Sequence, residues 1–192
     1  MVVPISVLSL VTRVLEDLGI RYVLVGSFAS SMYGLYRATA DIDIVAEIKT
    51  EQIGPLHEAL REAFYVDELA IRNAVFRGSS FNAIHFDSVF KIDIFTPTND
   101  EFAFAQLDHR QLRKLATGQD DTVYVATAED TVLAKLRWYR AWKEASNNQW
   151  HDVVGILAVQ RDILDVAYLR AWAEKLGVSD LLSRAVEETS ES

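Results

Sequence analysis

Apolar positions in this chain repeat with two periods. Val7, Leu8, Leu10, Val11, Val14, Leu15 and Leu18 recur at helical spacing, and Gly19 follows as a stop, which predicts an amphipathic helix. The Val-rich run "RYVLVG" reads as a short strand, "SFASSMYG" as a short helix ended by Gly34, and "DIDIV" as the next strand. Thr50 stands where it caps a helix running to about Phe64, with Ile53, Leu56, Leu60 and Phe64 facing inward. Asp67 caps another over "ELAIRNAVFRG". "SFNAIHF" and "VFKIDIF" flank the turn residues Asp87 and Ser88 and predict a β-hairpin. A helix over Glu101 to Leu115 and a strand at "TVYVAT" follow. From Thr127 onward the pattern is helical: "AEDTVLAKLRWYRAWKEA", "QWHDVVGILAVQ", "DVAYLRAWAEKLG" and "SDLLSRAVEE". There Asp165 and Ser179 hold cap positions and Gly177 a stop position.

This order is α/β, and its change near residue 127 separates a mixed half from a helical one. The expected organisation is a core over residues 1–126 and a helical subdomain over 127–192 packed on it. The length of 192 residues suits one domain, or a domain with a small appendage. An apolar half allows a sizeable core, and a charged fraction of 24% argues against a disordered chain. The absence of cysteine excludes a disulfide scaffold, a thiolate metal site and a Cys nucleophile, and fits the cytoplasm. The first residues lack a basic start and a cleavage site, so no signal peptide is expected. No apolar run approaches the roughly 18 residues of a membrane span. A net charge of −9 weighs against extended nucleic-acid binding, though not against a nucleotide, because bound Mg²⁺ supplies local positive charge.

The candidate chemistry lies in "VGSFASSMYGLYRATADIDIV". Residues two apart on a strand share a face, so Asp41 and Asp43 project together while Ile42 and Ile44 enter the core. Like charges this close repel unless a cation sits between them, and hard divalent ions bind such oxygens. Asp93 in "KIDIF" has the same apolar setting. Three acids on one face suit two metal ions about 3.5–4 Å apart that clamp a phosphoryl displacement. By itself a D-x-D pair also occurs by chance in half-exposed strands. Upstream, Gly26 lets the backbone approach a ligand, Ser27 offers a hydroxyl, and a new helix offers unpaired N–H groups, together a phosphate site. The bland alternative is a strand–turn–helix with Ser27 as N-cap.

The succession of strand, Gly-Ser, short helix, R-x-T-x-D-I-D and a later hydrophobic-Asp-hydrophobic strand resembles the nucleotidyltransferase superfamily of DNA polymerase β-like fold. The spacing is most similar to bacterial stand-alone nucleotidyltransferases related to abortive-infection (AbiEii-type) toxins, through Tyr33-Gly34, Arg37 to Asp43, Glu129-Asp130 with Lys135, and Gln149, Trp150, Asp152 and Val153. The resemblance implies a mixed β-sheet nucleotidyltransferase core flanked by helices. It implies that Gly26 and Ser27 hold the phosphates of a nucleoside triphosphate, that Asp41 and Asp43 ligate Mg²⁺ or Mn²⁺, and that Asp93 completes the metal site and helps deprotonate an attacking hydroxyl. Arg37 and Lys135 are the expected further phosphate contacts. The implied reaction moves a nucleoside monophosphate to a hydroxyl of RNA, protein or a small molecule, in a toxin–antitoxin or phage-defence setting with an antitoxin partner. A non-catalytic nucleotide- or partner-binding protein of the same fold is the alternative, and a D-x-D glycosyltransferase a third reading that leaves Gly26-Ser27 unexplained.

Other residues read as structural. Lys91 shares the face of Asp93 and offsets its charge; Asp152 is read as an ion-pair partner. His85 and His151 lack spaced ligand partners, and Trp138, Trp142, Trp150 and Trp172 are expected in helix packing.

Overall fold

A computed structural model of the chain describes residues 5–34, 41–115 and 122–190. The chain divides into two compact units, Met1–Val25 with Ala38–Ala126, and Gly26–Arg37 with Thr127–Ser192. The second unit therefore takes in the segment from Gly26, which the sequence reading grouped with the mixed half.

The first unit is built on a seven-stranded mixed sheet. Its strands are β1 (Arg21–Val25), β2 (Asp41–Glu47), β3 (Phe64–Tyr65), β4 (Ser80–His85), β5 (Lys91–Phe95), β6 (Gln111–Lys114) and β7 (Thr122–Val125). They lie in the order β3-β4-β5-β2-β1-β7-β6, with β2–β5 and β1–β7 parallel and the remaining pairs antiparallel. The hairpin over β4 and β5 forms as the sequence predicts. Strand parity sorts the core. Leu24, Ile42, Ile44, Ile92, Ile94 and Ala83 are fully buried on one face. There α1 (Ile5–Asp17) packs on β1, and α4 (Glu68–Arg77) on β4, with α3 (Ile53–Leu60) between them. On the other face Val23, Val25 and Val45 form a cluster with Ala103 and Leu107 of α5 (Glu101–His109).

Three predicted helices end early; the one expected over Ala128 to Ala145 stops at Ala141, before Lys143 and Glu144 take left-handed φ values of +52° and +61°. Thr50 does not cap a helix: Thr50–Gln52 is a 3₁₀ turn, in which the Gln52 side chain accepts a 2.9 Å hydrogen bond from the Lys49 N–H, and α3 starts at Ile53. Phe64 leaves the helix because it pairs with His85 at the sheet edge and is buried there. The helix expected to run to Leu115 ends at His109, and Gln111–Lys114 joins the opposite edge as β6. All four residues of that strand are exposed, so no alternation marks it.

The second unit is helical: α2 (Gly26–Tyr33), α6 (Ala128–Ala141), α7 (Asn147–Val159), α8 (Val166–Lys175) and α9 (Ser179–Ser190). Helix α7 packs on α2, α6 and α9, which explains why α2 groups here. Leu133, Leu136, Val153, Ile156, Ala173 and Ala185 are its buried centre. Thr127 caps α6 by accepting from the Asp130 N–H at 3.1 Å, and Asp165 caps α8 by accepting from the Tyr168 N–H at 2.9 Å.

Candidate functional site

The acids of the first unit are gathered by register. Asp43 on β2 is paired directly with Asp93 on the parallel strand β5, and Asp41 with Lys91. Side chains paired across adjacent strands stand on the same face. The row continues to Val25 on β1 and to Asn82 on β4, a polar neighbour of Asp93 that sequence reasoning missed because it follows only from the hairpin register. This is the face that α5 covers at Val23, Val25 and Val45. It turns acidic toward the first residues of β2 and β5, where Asp41, Asp43 and Asp93 are half-buried. The apolar flanks of each Asp are thus the opposite side of the same sheet, and the carboxylates form one patch.

A cation already stands in that patch. The Lys91 ammonium lies 2.5 Å from Asp93 Oδ2. This hydrogen bond raises the Lys91 pKa above the ordinary lysine value, partial burial opposes the rise, and the charges of Asp93, Asp41 and Asp43 add to it. All three carboxylates therefore act on one positive group. Among the described residues no three His, Cys, Asp or Glu side chains are gathered as a ready metal cage. Carboxylate oxygens are the donors a hard dication takes, and among the described residues the Lys91 ammonium stands beside Asp93.

In the second unit, Gly26 opens α2 directly after the last residue of β1. Its φ of +67° lies in the left-handed region, which explains a glycine at this turn from strand to helix. Ser27 follows in the first turn, and its carbonyl accepts from the hydroxyls of Ser30 at 3.0 Å and Ser31 at 2.9 Å. Lys135 on α6 is not a snorkelling surface lysine. Its side chain is 3% exposed, and its Nζ lies 2.8 Å from Asp152 Oδ2 on α7 and donates to Gln149 Oε1 at 3.1 Å. The same Asp152 oxygen accepts from Ser30 Oγ at 3.3 Å. A continuous polar chain therefore joins Lys135, Asp152, Ser30 and the Ser27 carbonyl. Arg37 lies outside the described residues.

Compared with known proteins, the chain matches no protein family and no curated protein. Its backbone does match solved structures. An antigenic nucleotidyltransferase-like protein from Paracoccidioides brasiliensis superposes with a TM-score of 0.54 at 16% identity, over 95% of this chain and 91% of that one. ANT(2")-Ia in complex with adenylyl-2"-tobramycin superposes with a TM-score of 0.57 at 9% identity, over 90% of this chain and 95% of that one. The lincosamide antibiotic adenylyltransferase LnuA, lincomycin-bound, gives 0.51 at 11% identity over 82% and 98%. The chain has a nucleotidyltransferase-like fold. At these identities the likeness is one of fold, and the chemistry rests on this chain's own residues.

Within this fold the remaining candidates find structural partners. Glu129 accepts from the Asp165 N–H at 2.9 Å, and the fully buried Asp130 accepts from the Tyr168 hydroxyl at 2.6 Å, so the acid pair ties α6 to α8. His85 contacts Ser88 Oγ at 2.9 Å through Nδ1 in the β4–β5 turn. Trp150 packs on Tyr139 under the Arg184 guanidinium, 4.0 Å above its ring, and Trp172 lies beneath Lys175. Trp138 on α6 and Trp142, the residue that ends that helix, expected in helix packing, are instead exposed. No described helix is long and apolar enough to cross a membrane.

Proposed function

We propose that this protein is a Mg²⁺- or Mn²⁺-dependent nucleotidyltransferase that moves a nucleoside monophosphate from a nucleoside triphosphate to a hydroxyl acceptor. The observation that carries the reading is the direct pairing of Asp43 with Asp93, with Asp41 on the same face, in a sheet of nucleotidyltransferase-like fold. Asp41, Asp43 and Asp93 would hold the metal, which supplies neutralisation of triphosphate charge and a lowered pKa for the attacking hydroxyl. Asp93 takes the proton of that hydroxyl. The acceptor oxygen bonds to the α-phosphorus, the bond from that phosphorus to the bridging oxygen breaks, and pyrophosphate leaves with the electron pair. Gly26 and Ser27 hold the outgoing phosphates by the helix N-terminus and hydroxyl, and Arg37 adds charge. Lys135 is left out as a direct phosphate contact, because its buried ammonium is engaged by Asp152 and Gln149.

The acceptor is RNA, a protein side chain or a small molecule. The structures of the same fold bound to adenylyl-2"-tobramycin and to lincomycin support the last. A cytoplasmic toxin–antitoxin or phage-defence role with an antitoxin partner rests on the sequence resemblance alone. The second reading, nucleotide or partner binding without turnover, is favoured by the Lys91–Asp93 pair, which puts a protein cation on the third acid. Incubation with labelled nucleoside triphosphates, Mg²⁺ and pools of RNA, protein and antibiotics decides between them. Label transfer that drops at least about 100-fold in both Asp41→Ala and Asp43→Ala is the expected result. Triphosphate binding without any transfer would move the assignment to the second reading.

A further inference from the structure

We propose that Ser30 is a positioning residue for the nucleotide: its hydroxyl locks the first turn of α2, and so Ser27, to the buried Asp152–Lys135 pair. The inference rests on Ser27 being a phosphate contact. Ser30 is 4% exposed on a helix where alanine would be the better helix former. A buried hydroxyl is costly unless it is hydrogen-bonded, and a helical serine tends to bond back to its own preceding turn. Ser30 does both. Its Oγ is 3.0 Å from the Ser27 carbonyl oxygen and 3.3 Å from Asp152 Oδ2. Both partners are acceptors, so one proton is shared between them. Asp152 is in turn fixed by Lys135 at 2.8 Å, and that ammonium by Gln149.

The other end of α2 is held against α7 as well. Gln160 Nε2 donates to the Tyr33 carbonyl at 2.7 Å. A Cβ on Gly34 would stand 3.1 Å from both Ile156 Cγ1 and the Ile156 nitrogen. With the far end pinned by a side-chain amide and by close backbone packing, the Ser30 hydroxyl ties the first turn to Asp152 of α7. Phosphate held by helix N–H groups is sensitive to that orientation, because the donors must point at the ligand without further cost on binding.

The test is calorimetric titration with Mg²⁺ and the α,β-methylene analogues of ATP, GTP, CTP and UTP. It uses the full chain and its Ser30→Ala, Ser30→Thr and Ser27→Ala variants, with the melting temperature of each. Ser30→Ala should weaken the analogue that binds by about 5–10-fold. Ser30→Thr keeps the hydroxyl and should stay within about twofold, at a melting temperature equal to that of Ser30→Ala or lower. Affinity unchanged in Ser30→Ala while Ser27→Ala binds weakly would overturn the positioning role and leave the nucleotide reading standing. Equal weakening in Ser30→Ala and Ser30→Thr would also overturn it, since the hydroxyl would not be the cause. A wild-type chain that binds none of the four analogues would remove the nucleotide reading and this inference together.

Discussion

Removing one member of the Lys135–Asp152 pair leaves a charge with no water to solvate it, since the two side chains are 3% and 5% exposed. Breaking such a pair costs about 3–5 kcal/mol, whereas replacing both partners by apolar groups of similar volume is often close to neutral. Lys135→Met alone should therefore lower the urea midpoint strongly, and the double variant Lys135→Met with Asp152→Leu should recover most of the loss. A double variant as unstable as the single one would show that the charges, and not only their pairing, are needed. Two tyrosines should make stability fall at alkaline pH. Burial raises the Tyr22 hydroxyl above its usual value, and its 2.7 Å hydrogen bond to Glu16 adds to the rise. Burial does the same for Tyr168, aided by Asp130. Both folded values are raised, so this stability is complete below the unfolded tyrosine pKa of about 10 and is lost as pH climbs through the folded ones. Urea midpoints should fall above about pH 10, and Tyr22→Phe should fall less steeply from a lower neutral-pH value. The two aspartates of the D-I-D run were readable at this scale because period-two spacing alone puts them on one face. Ser30 was not, because its partner Asp152 lies 122 residues away in sequence.

The elements follow local rules wherever one rule acts alone. Asp67, Thr127 and Asp165 cap helices in the structure because each side chain meets an orphan N–H of the next turn. Thr127→Ala should cost about 1 kcal/mol in chemical denaturation, as the Asp130 N–H loses its partner. The departures come where pairing across the sheet outweighs propensity. Phe64 has helical spacing but is drawn into β3 by the edge of β4, and "QLRK" has no pattern of its own yet completes the ladder beside β7. Asp93 belongs to both cases: its strand was legible from "KIDIF", but only the parallel register sets it beside Asp43 rather than one pleat away. Close helix packing gives a further test. A methyl at Gly34 would stand 3.1–3.2 Å from the backbone of Gly155 and Ile156, which cannot yield as a side-chain tip does. Gly34→Ala should destabilise by about 1–3 kcal/mol through overpacking of α2 on α7, and melting curves that match wild type would refute that packing.

At the scale of the whole chain the governing quantity is the net charge of −9, set by 28 acidic against 19 basic residues. Long nucleic acids are gripped by many phosphate contacts, and each contact releases counterions, so affinity falls steeply with salt. A chain this acidic is poorly supplied for such a grip. A triphosphate presents its charge over a few atoms and needs only local cations. The two cases separate by salt dependence. If the acceptor engages few phosphates, as a small antibiotic-like molecule or a protein hydroxyl does, the transfer rate at fixed Mg²⁺ should change by no more than about threefold between 50 and 200 mM KCl. A drop of about 10³-fold over that range would identify an acceptor held along six or more phosphates. If the proposed reaction is metal-dependent, chelation by EDTA should abolish transfer in either case, which would separate a metal requirement at Asp41, Asp43 and Asp93 from the acceptor's own electrostatics. The salt slope thus tests the acceptor class before the acceptor is known. It does so through the property of this chain that composition fixes most directly and that no single side chain controls.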